Sequence, residues 1–167
     1  MKRLSDLLER FEYECIQGDV QIPIADVVYD SRKIEEGCLF LCIKGANFDG
    51  HSAIGAAAEK KAAAVLVQTI PEDLPKGITV IKVADTRLAM ANVAAAWFDY
   101  PAERLTTIGV TGTKGKTTTV YLVKSVLEND GFRVGLIGTI ESIMGDEVIP
   151  SLNTTPESFI LQKYFAK

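Results

Sequence analysis

An α/β fold in two consecutive units is what the sequence predicts, on three observations. Short apolar runs bounded by glycine, proline or charge alternate with helix-periodic stretches. A proline-marked break falls near residue 100. Beyond it, a strand-like run, a glycine-rich loop and a helical stretch follow in that order. With 167 residues and about 100 to 200 residues per typical domain, the chain suits one domain or two small ones.

In the first unit, Leu4, Leu7, Leu8 and Phe11 recur at helical spacing, and Gly18 and Pro23 punctuate the chain before a β-branched stretch at 22–28. Residues 39–43, 63–67 and 78–81 are short apolar runs of the kind that form buried strands. The alanine-rich segment 52–61 reads as a helix between two of them. Asp85 is a predicted N-cap for a longer helix in which Met90, Val93, Ala94 and Trp97 make one apolar stripe. That helix stops before Pro101, because the residue preceding proline is pushed out of the helical region. The predicted units are therefore 1–100 and 101–167.

In the second unit, a strand over 105–110 leads into the glycine-rich loop and then a helix carrying Val120, Val123, Val126 and Leu127. A second strand at 133–137 completes a βαβ unit with a phosphate-type loop at its first turn. Residues 140–149 suit a hairpin about Gly145-Asp146, and Pro156 suits the first turn of a final helix. Only two strands clearly belong to a parallel sheet, which leaves long unpaired edges. The second unit is expected to be the start of a larger domain.

Composition narrows the function classes. A hydrophobic fraction of 47%, a charged fraction of 24% and a mean hydropathy of +0.14 belong to soluble globular chains. The net charge of −4 supplies no global field for a polyanion, so no nucleic acid partner is expected. No run reaches the roughly 18 to 20 apolar residues of a membrane span, and acidic residues interrupt the opening segment, so the expected location is the cytoplasm, with no membrane insertion. Three cysteines without a CxxC pair argue against a disulfide framework or a zinc site. Cys38 and Cys42 share one strand face with Phe40 and read as buried small hydrophobes. His51 is the single histidine, which rules out a His-based metal site within the chain; a place at a helix start suits it better than catalysis.

The strongest chemical signal is Gly109-Val110-Thr111-Gly112-Thr113-Lys114-Gly115-Lys116-Thr117-Thr118-Thr119. Glycines at 112 and 115 let backbone amides turn inward around phosphate oxygens at a helix N-terminus, where the peptide dipoles favour negative charge. Lys116 then reaches the β and γ phosphates and the Thr117 hydroxyl ligates Mg²⁺. Val110 stands where the strict GxxxxGK[ST] pattern has its first glycine, so what remains is a GTxGKT core in strand–loop–helix context.

Two further groups are weaker. Asp30-Ser31-Arg32 and the segment Lys44-Gly45-Ala46-Asn47-Phe48-Asp49-Gly50-His51 each follow a predicted strand. They suit a base or phosphate contact from Ser31 and Arg32, and a diphosphate held near Gly45, Ala46 and Asn47. They equally suit a plain turn at Asp30-Ser31, solvated Arg32 and Lys44, and a helix cap at Asp49-Gly50. Asn153-Thr154-Thr155-Pro156-Glu157 offers amide and hydroxyl groups to an anionic or peptide-like ligand, or an ordinary N-cap at Thr154 or Thr155.

Taken in order, Asp30-Ser31-Arg32, Gly37 to Phe40, Ile43 to His51, Gly109 to Thr119 and Asn153 to Glu157 resemble the Mur ligases of peptidoglycan synthesis across nearly the whole chain. With Gly138-Thr139-Ile140 upstream, Asn153 to Glu157 resembles the branch that adds the third peptide residue to UDP-N-acetylmuramoyl-L-alanyl-D-glutamate. The resemblance implies a Rossmann-like N-terminal domain that binds the UDP substrate at Ser31, Lys44, Gly45, Ala46 and Asn47. It implies a P-loop central domain that binds ATP and Mg²⁺ through Gly112, Thr113, Lys114, Gly115, Lys116, Thr117 and Thr118. Asn153, Thr154, Thr155 and Glu157 are then muramoyl-peptide contacts, Lys116 is the catalytic cation and Thr117 the magnesium ligand. In such ligases a substrate carboxylate is phosphorylated and the amine of an incoming amino acid displaces phosphate, while lysine and magnesium neutralise the transferring phosphoryl group.

The family carries a modified lysine, further magnesium ligands and an amino-acid-binding C-terminal domain beyond the point reached here. The resemblance thus implies a missing C-terminal part as partner and no turnover by the 167 residues alone. A stand-alone sugar-nucleotide-binding module and a folylpolyglutamate synthase-like ligase are the competing readings.

Overall fold

The computed structural model describes residues 1–46, 48–151 and 154–167. They divide into two compact units, Met1–Tyr100 and Pro101–Lys167. The first unit runs β1 (Lys2–Arg3), α1 (Leu4–Leu8), β2 (Glu14–Gln17), β3 (Pro23–Ile24), β4 (Val27–Val28), β5 (Leu39–Leu41), α2 (Ile54–Glu59), β6 (Ala64–Val67), β7 (Thr79–Lys82) and α3 (Thr86–Trp97). Strands β4 to β7 lie parallel and side by side, and β2 adds antiparallel to β7, giving the order β2-β7-β6-β5-β4.

Alternation along the strands sorts the core into two faces. Phe40, Cys42, Val65, Val67 and Val80 join Ile54 and Ala57 of α2 in one apolar cluster, and Cys38 belongs to it as well. The intervening Leu39, Leu41, Ala64, Leu66 and Ile81 are fully buried and point the other way. Helices α1 and α3 pack on each other and bury Leu4, Leu7, Leu8, Met90, Val93 and Ala94, none of which joins the α2 cluster. The sheet is thus a middle layer, and each leucine it buries stabilises the fold by about 1.5–3 kcal/mol relative to an exposed one.

Two features of this unit depart from the sequence expectation. The stretch 22–28 forms two short strands, because the chain changes partner within it: β3 pairs with β1, whereas β4 pairs with β5. Between them the Ala25 amide bonds to the Gly37 carbonyl at 2.9 Å. Strand β2 carries no apolar run and so gave no signal; it is held as an edge by β7.

The second unit starts with a 3₁₀ turn at Pro101–Arg104 and continues through α4 (Lys116–Asn129), β8 (Leu136–Ile137), β9 (Glu141–Met144), β10 (Glu147–Pro150) and α5 (Ser158–Ala166). The expected hairpin is present, with Glu147 opposite Met144 and Gly145 at φ +59° in its two-residue turn, a conformation that favours glycine. The expected parallel pair is not. Residues 105–110 join no ladder among the described residues, and β8 pairs antiparallel with β9 instead. A buried parallel strand needs neighbours on both sides, and the hairpin supplies one only to β8; Leu105 and Ile108 stay 47% and 59% exposed. For the same reason α4 fully buries none of its residues. Its Val120, Val123 and Leu127 line a cavity of about 1230 Å³ together with Leu136, Ile143 and Phe165.

The last helix also starts later than expected. Glu157, not Thr154 or Thr155, occupies the N-cap of α5, and Pro156 lies before the helix rather than in its first turn. Among the described residues no helix is long and apolar enough to cross a membrane.

Candidate functional site

The glycine-rich loop owes its shape to two left-handed glycines. Gly112 has φ +146° and Gly115 φ +79°; Gly115 is the N-cap of α4. A side chain at either position would be strained, whatever the space around it. The first helical bond of α4 runs from the Thr119 amide to the Gly115 carbonyl at 2.9 Å, so the amides of Lys116, Thr117 and Thr118 have no carbonyl one turn back to bond. These donors sit at the positive end of a helix 14 residues long.

Lys116 folds over the loop, and its Nζ donates to the Gly112 carbonyl at 2.7 Å. That bond spans the loop from helix to first glycine and leaves the ammonium where it can exchange one oxygen acceptor for another. Gly112, Thr113, Lys114, Gly115 and Thr118 are exposed, and Lys116 and Thr117 half-buried. The donor set fits a polyphosphate: left-handed glycines, free helix-terminal amides, one ammonium and one hydroxyl. No group of three or more His, Cys, Asp or Glu residues among the described residues is arranged to hold a metal. A magnesium ion held by Thr117 and phosphate oxygens needs no such cluster, since Mg²⁺ keeps several waters and takes few protein ligands.

In the first unit the carboxyl ends of β4 and β5 lead into the loops singled out from the sequence. After β4, Ser31 opens a 3₁₀ turn, Ser31–Lys33, capped by the Asp30 carboxylate, which accepts from the Arg32 amide at 3.0 Å. After β5, Lys44 and Asp49 form an isolated antiparallel bridge, and the Gly45 amide bonds to the Phe48 carbonyl at 2.9 Å. Arg87, at the start of α3 beyond β7, donates to the Lys44 carbonyl at 3.4 Å. Ser31, Lys44, Gly45 and Ala46 therefore share the carboxyl edge of the parallel strands, the side on which open α/β sheets take ligands. Asn47 lies outside the described residues.

Sequence reasoning missed the part played by His51. Its Nδ1 lies 2.6 Å from Asp49 Oδ1, and its Nε2 accepts from the Gln68 amide at 3.0 Å and the Thr69 amide at 3.4 Å. The helix start was legible at Asp49-Gly50; the tie to the loop after β6 was not, because Gln68 is 17 residues away.

Near the C-terminus, Thr154 and Thr155 are exposed, and the Thr154 and Thr139 hydroxyls lie 3.4 Å apart. Glu157 caps α5 by backbone position, with no side-chain cap bond. Asn153 lies outside the described residues. Tyr121 of α4 donates to Glu141 of β9 at 2.6 Å; this bond to a carboxylate, with some burial, raises the phenol above its ordinary value.

Comparison with known proteins agrees with this layout. The model of the Mur ligase family, catalytic domain, matches residues 23–98, and that of the Mur ligase middle domain matches residues 110–167. UDP-N-acetylmuramoyl-L-alanyl-D-glutamate--2,6-diaminopimelate ligase 1 of Clostridium acetobutylicum is 47% identical over 164 residues, covering 98% of this chain and 34% of that protein. The corresponding ligase of Clostridium perfringens is 44% identical over 165 residues, covering 97% and 33%. A solved structure of a UDP-N-acetylmuramoyl-L-alanyl-D-glutamate--2,6-diaminopimelate ligase superposes with a TM-score of 0.67 at 20% identity, over 99% of this chain and 33% of the other, and so supports the fold. The chain spans about a third of the length of the curated relatives it matches. With each of its two units matched by a successive domain of the same enzymes, the chain belongs to the Mur ligase family.

Proposed function

We propose that this chain supplies the sugar-nucleotide-holding and ATP-phosphate-holding parts of a ligase that joins diaminopimelate to UDP-N-acetylmuramoyl-L-alanyl-D-glutamate in peptidoglycan synthesis. The observation that carries the reading is the loop from Gly112 to Thr118, with two left-handed glycines and Lys116 at the start of α4. The identity of the two amide-forming substrates rests on the names of the relatives.

In this reading the amides of Lys116, Thr117 and Thr118 hold the terminal phosphates of ATP, and the Lys116 ammonium neutralises charge that builds on the phosphoryl group as it moves to the substrate carboxylate. Thr117 holds Mg²⁺, which supplies further neutralisation when bound. Ser31 contacts the uridine part of the other substrate, and Lys44, Gly45, Ala46 and Asn47 flank its diphosphate. Asn153, Thr154, Thr155 and Glu157 meet the muramoyl-peptide. The chain spans about a third of its relatives' length, and in this reading the 167 residues bind both substrates' phosphates without turning over.

Calorimetric titration of the 167-residue chain with ADP and Mg²⁺ tests the loop. Binding that weakens at least about tenfold in Lys116→Ala, as expected for a lost charge-assisted contact, supports the assignment. Equal affinity in both proteins overturns it. Phosphate release from ATP, UDP-N-acetylmuramoyl dipeptide and diaminopimelate at the rate of a complete ligase overturns the division of labour.

A further inference from the structure

The single histidine sits where the proposed sugar-nucleotide loop meets the rest of the sheet edge. Its ring has one nitrogen beside a carboxylate and the other facing two backbone N–H groups. An amide N–H only donates, so Nε2 has to be the acceptor, and the ring proton is then on Nδ1, donating to Asp49. The Asp49 carboxylate also accepts the His51 amide at 3.0 Å, and these two bonds hold its carboxyl below the usual range. The imidazole side chain is 18% exposed. One neutral ring thus fastens the loop after β5 to the loop after β6.

We propose that His51, as the neutral Nδ1–H tautomer, is a positioning residue that ties the Asp49–Gly50 turn after β5 to the loop after β6 and so fixes Lys44 and Gly45 for the ligand. This rests on the sugar-nucleotide reading of that loop. Gly50 is already pinned, its amide bonded to the Ile43 carbonyl at 3.0 Å and its Cα too close to the Cys42 and Ile43 backbone to carry a Cβ. The Lys44–Asp49 bridge closes the loop on itself. The Nε2 contacts with Gln68 and Thr69 carry it across to the loop after β6.

The test uses the whole chain, in which one histidine gives one imidazole signal set. Nitrogen-resolved NMR at pH 8 is expected to show a protonated Nδ1 and an unprotonated Nε2; the opposite tautomer, or an even mixture, overturns the proposal. Amide exchange at Gln68 and Thr69 is expected to speed up about tenfold in His51→Phe and to stay slow in His51→Gln, whose side-chain carbonyl can replace Nε2 as acceptor. Equal exchange in all three proteins overturns it.

UDP is the ligand probe. Its affinity at pH 8 is expected to fall about tenfold in His51→Phe and to be kept in His51→Gln. UDP binding of equal affinity in the native chain and His51→Phe overturns the positioning role. Absence of UDP binding to the native chain at pH 8 would instead remove the sugar-nucleotide reading, with the tautomer and exchange results still deciding whether the ring ties the two loops.

Discussion

Arg32 grips Asp30 with both arms of its guanidinium, Nε to one carboxylate oxygen at 2.9 Å and Nη2 to the other at 2.7 Å, while the Arg32 amide bonds the same carboxylate at 3.0 Å. Two residues apart in sequence, they make a closed ring at the carboxyl end of β4, and Ser31 is the residue inside it. The side-chain bond from Arg32, then its backbone bond, lower Asp30 to about 2.

Because the folded value lies below the unfolded one, this carboxylate contributes stability above its unfolded pKa and loses that contribution as pH falls toward 2. Chemical denaturation of the native chain and Asp30→Asn should therefore differ most above pH 4 and converge near pH 2. The pair is exposed, so solvent screens it and the effect is small. A difference that grows toward acid would contradict the assignment.

Asp85 accepts from the Arg87 amide at 2.8 Å and the Leu88 amide at 3.1 Å at the start of α3. Replacing it with alanine is expected to cost about 1 kcal/mol, and with asparagine much less, since asparagine caps as well as aspartate does. Urea melts of the three proteins check the order; an alanine variant as stable as the native chain would show that the cap is idle.

At Gly50 a Cβ would lie 2.8 Å from the Ile43 nitrogen and 3.0 Å from the Cys42 Cα. These are backbone atoms that cannot swing aside, so Gly50→Ala is expected to destabilise the first unit by about 1–3 kcal/mol. Gly55 has open space around its would-be Cβ, and Gly55→Ala in α2 should stabilise by up to about 1 kcal/mol. Thermal unfolding that ranks the two variants the other way would refute the packing argument.

Cys15 is exposed, whereas Cys38 and Cys42 are buried. Burial, with a smaller part from Asp49, pushes the Cys42 thiol up to about 12, and burial likewise raises Cys38. At pH 8 a thiol reagent should label one cysteine per folded chain quickly and all three after denaturation. Rapid labelling of more than one would place the β5 face outside the core.

The sequence by itself determined many of the local elements and the glycine-rich turn that opens α4. Within the apolar runs 39–43 and 63–67, Leu39–Leu41 and Ala64–Val67 became strands, Asp85 became a cap, and the glycines expected to turn the loop, 112 and 115, took left-handed conformations. Each of these is settled within a few residues, by side-chain period, capping or backbone freedom. Tertiary structure alone decided what depends on partners far along the chain. It recruited β2 as an edge, split 22–28 between β1 and β5, left 105–110 outside any ladder among the described residues, and set Gln68 and Thr69 against the ring of His51. Ladder bonds and side-chain acceptors are satisfied by whatever the fold brings near, and a single sequence records the group that needs a partner without recording which one it meets.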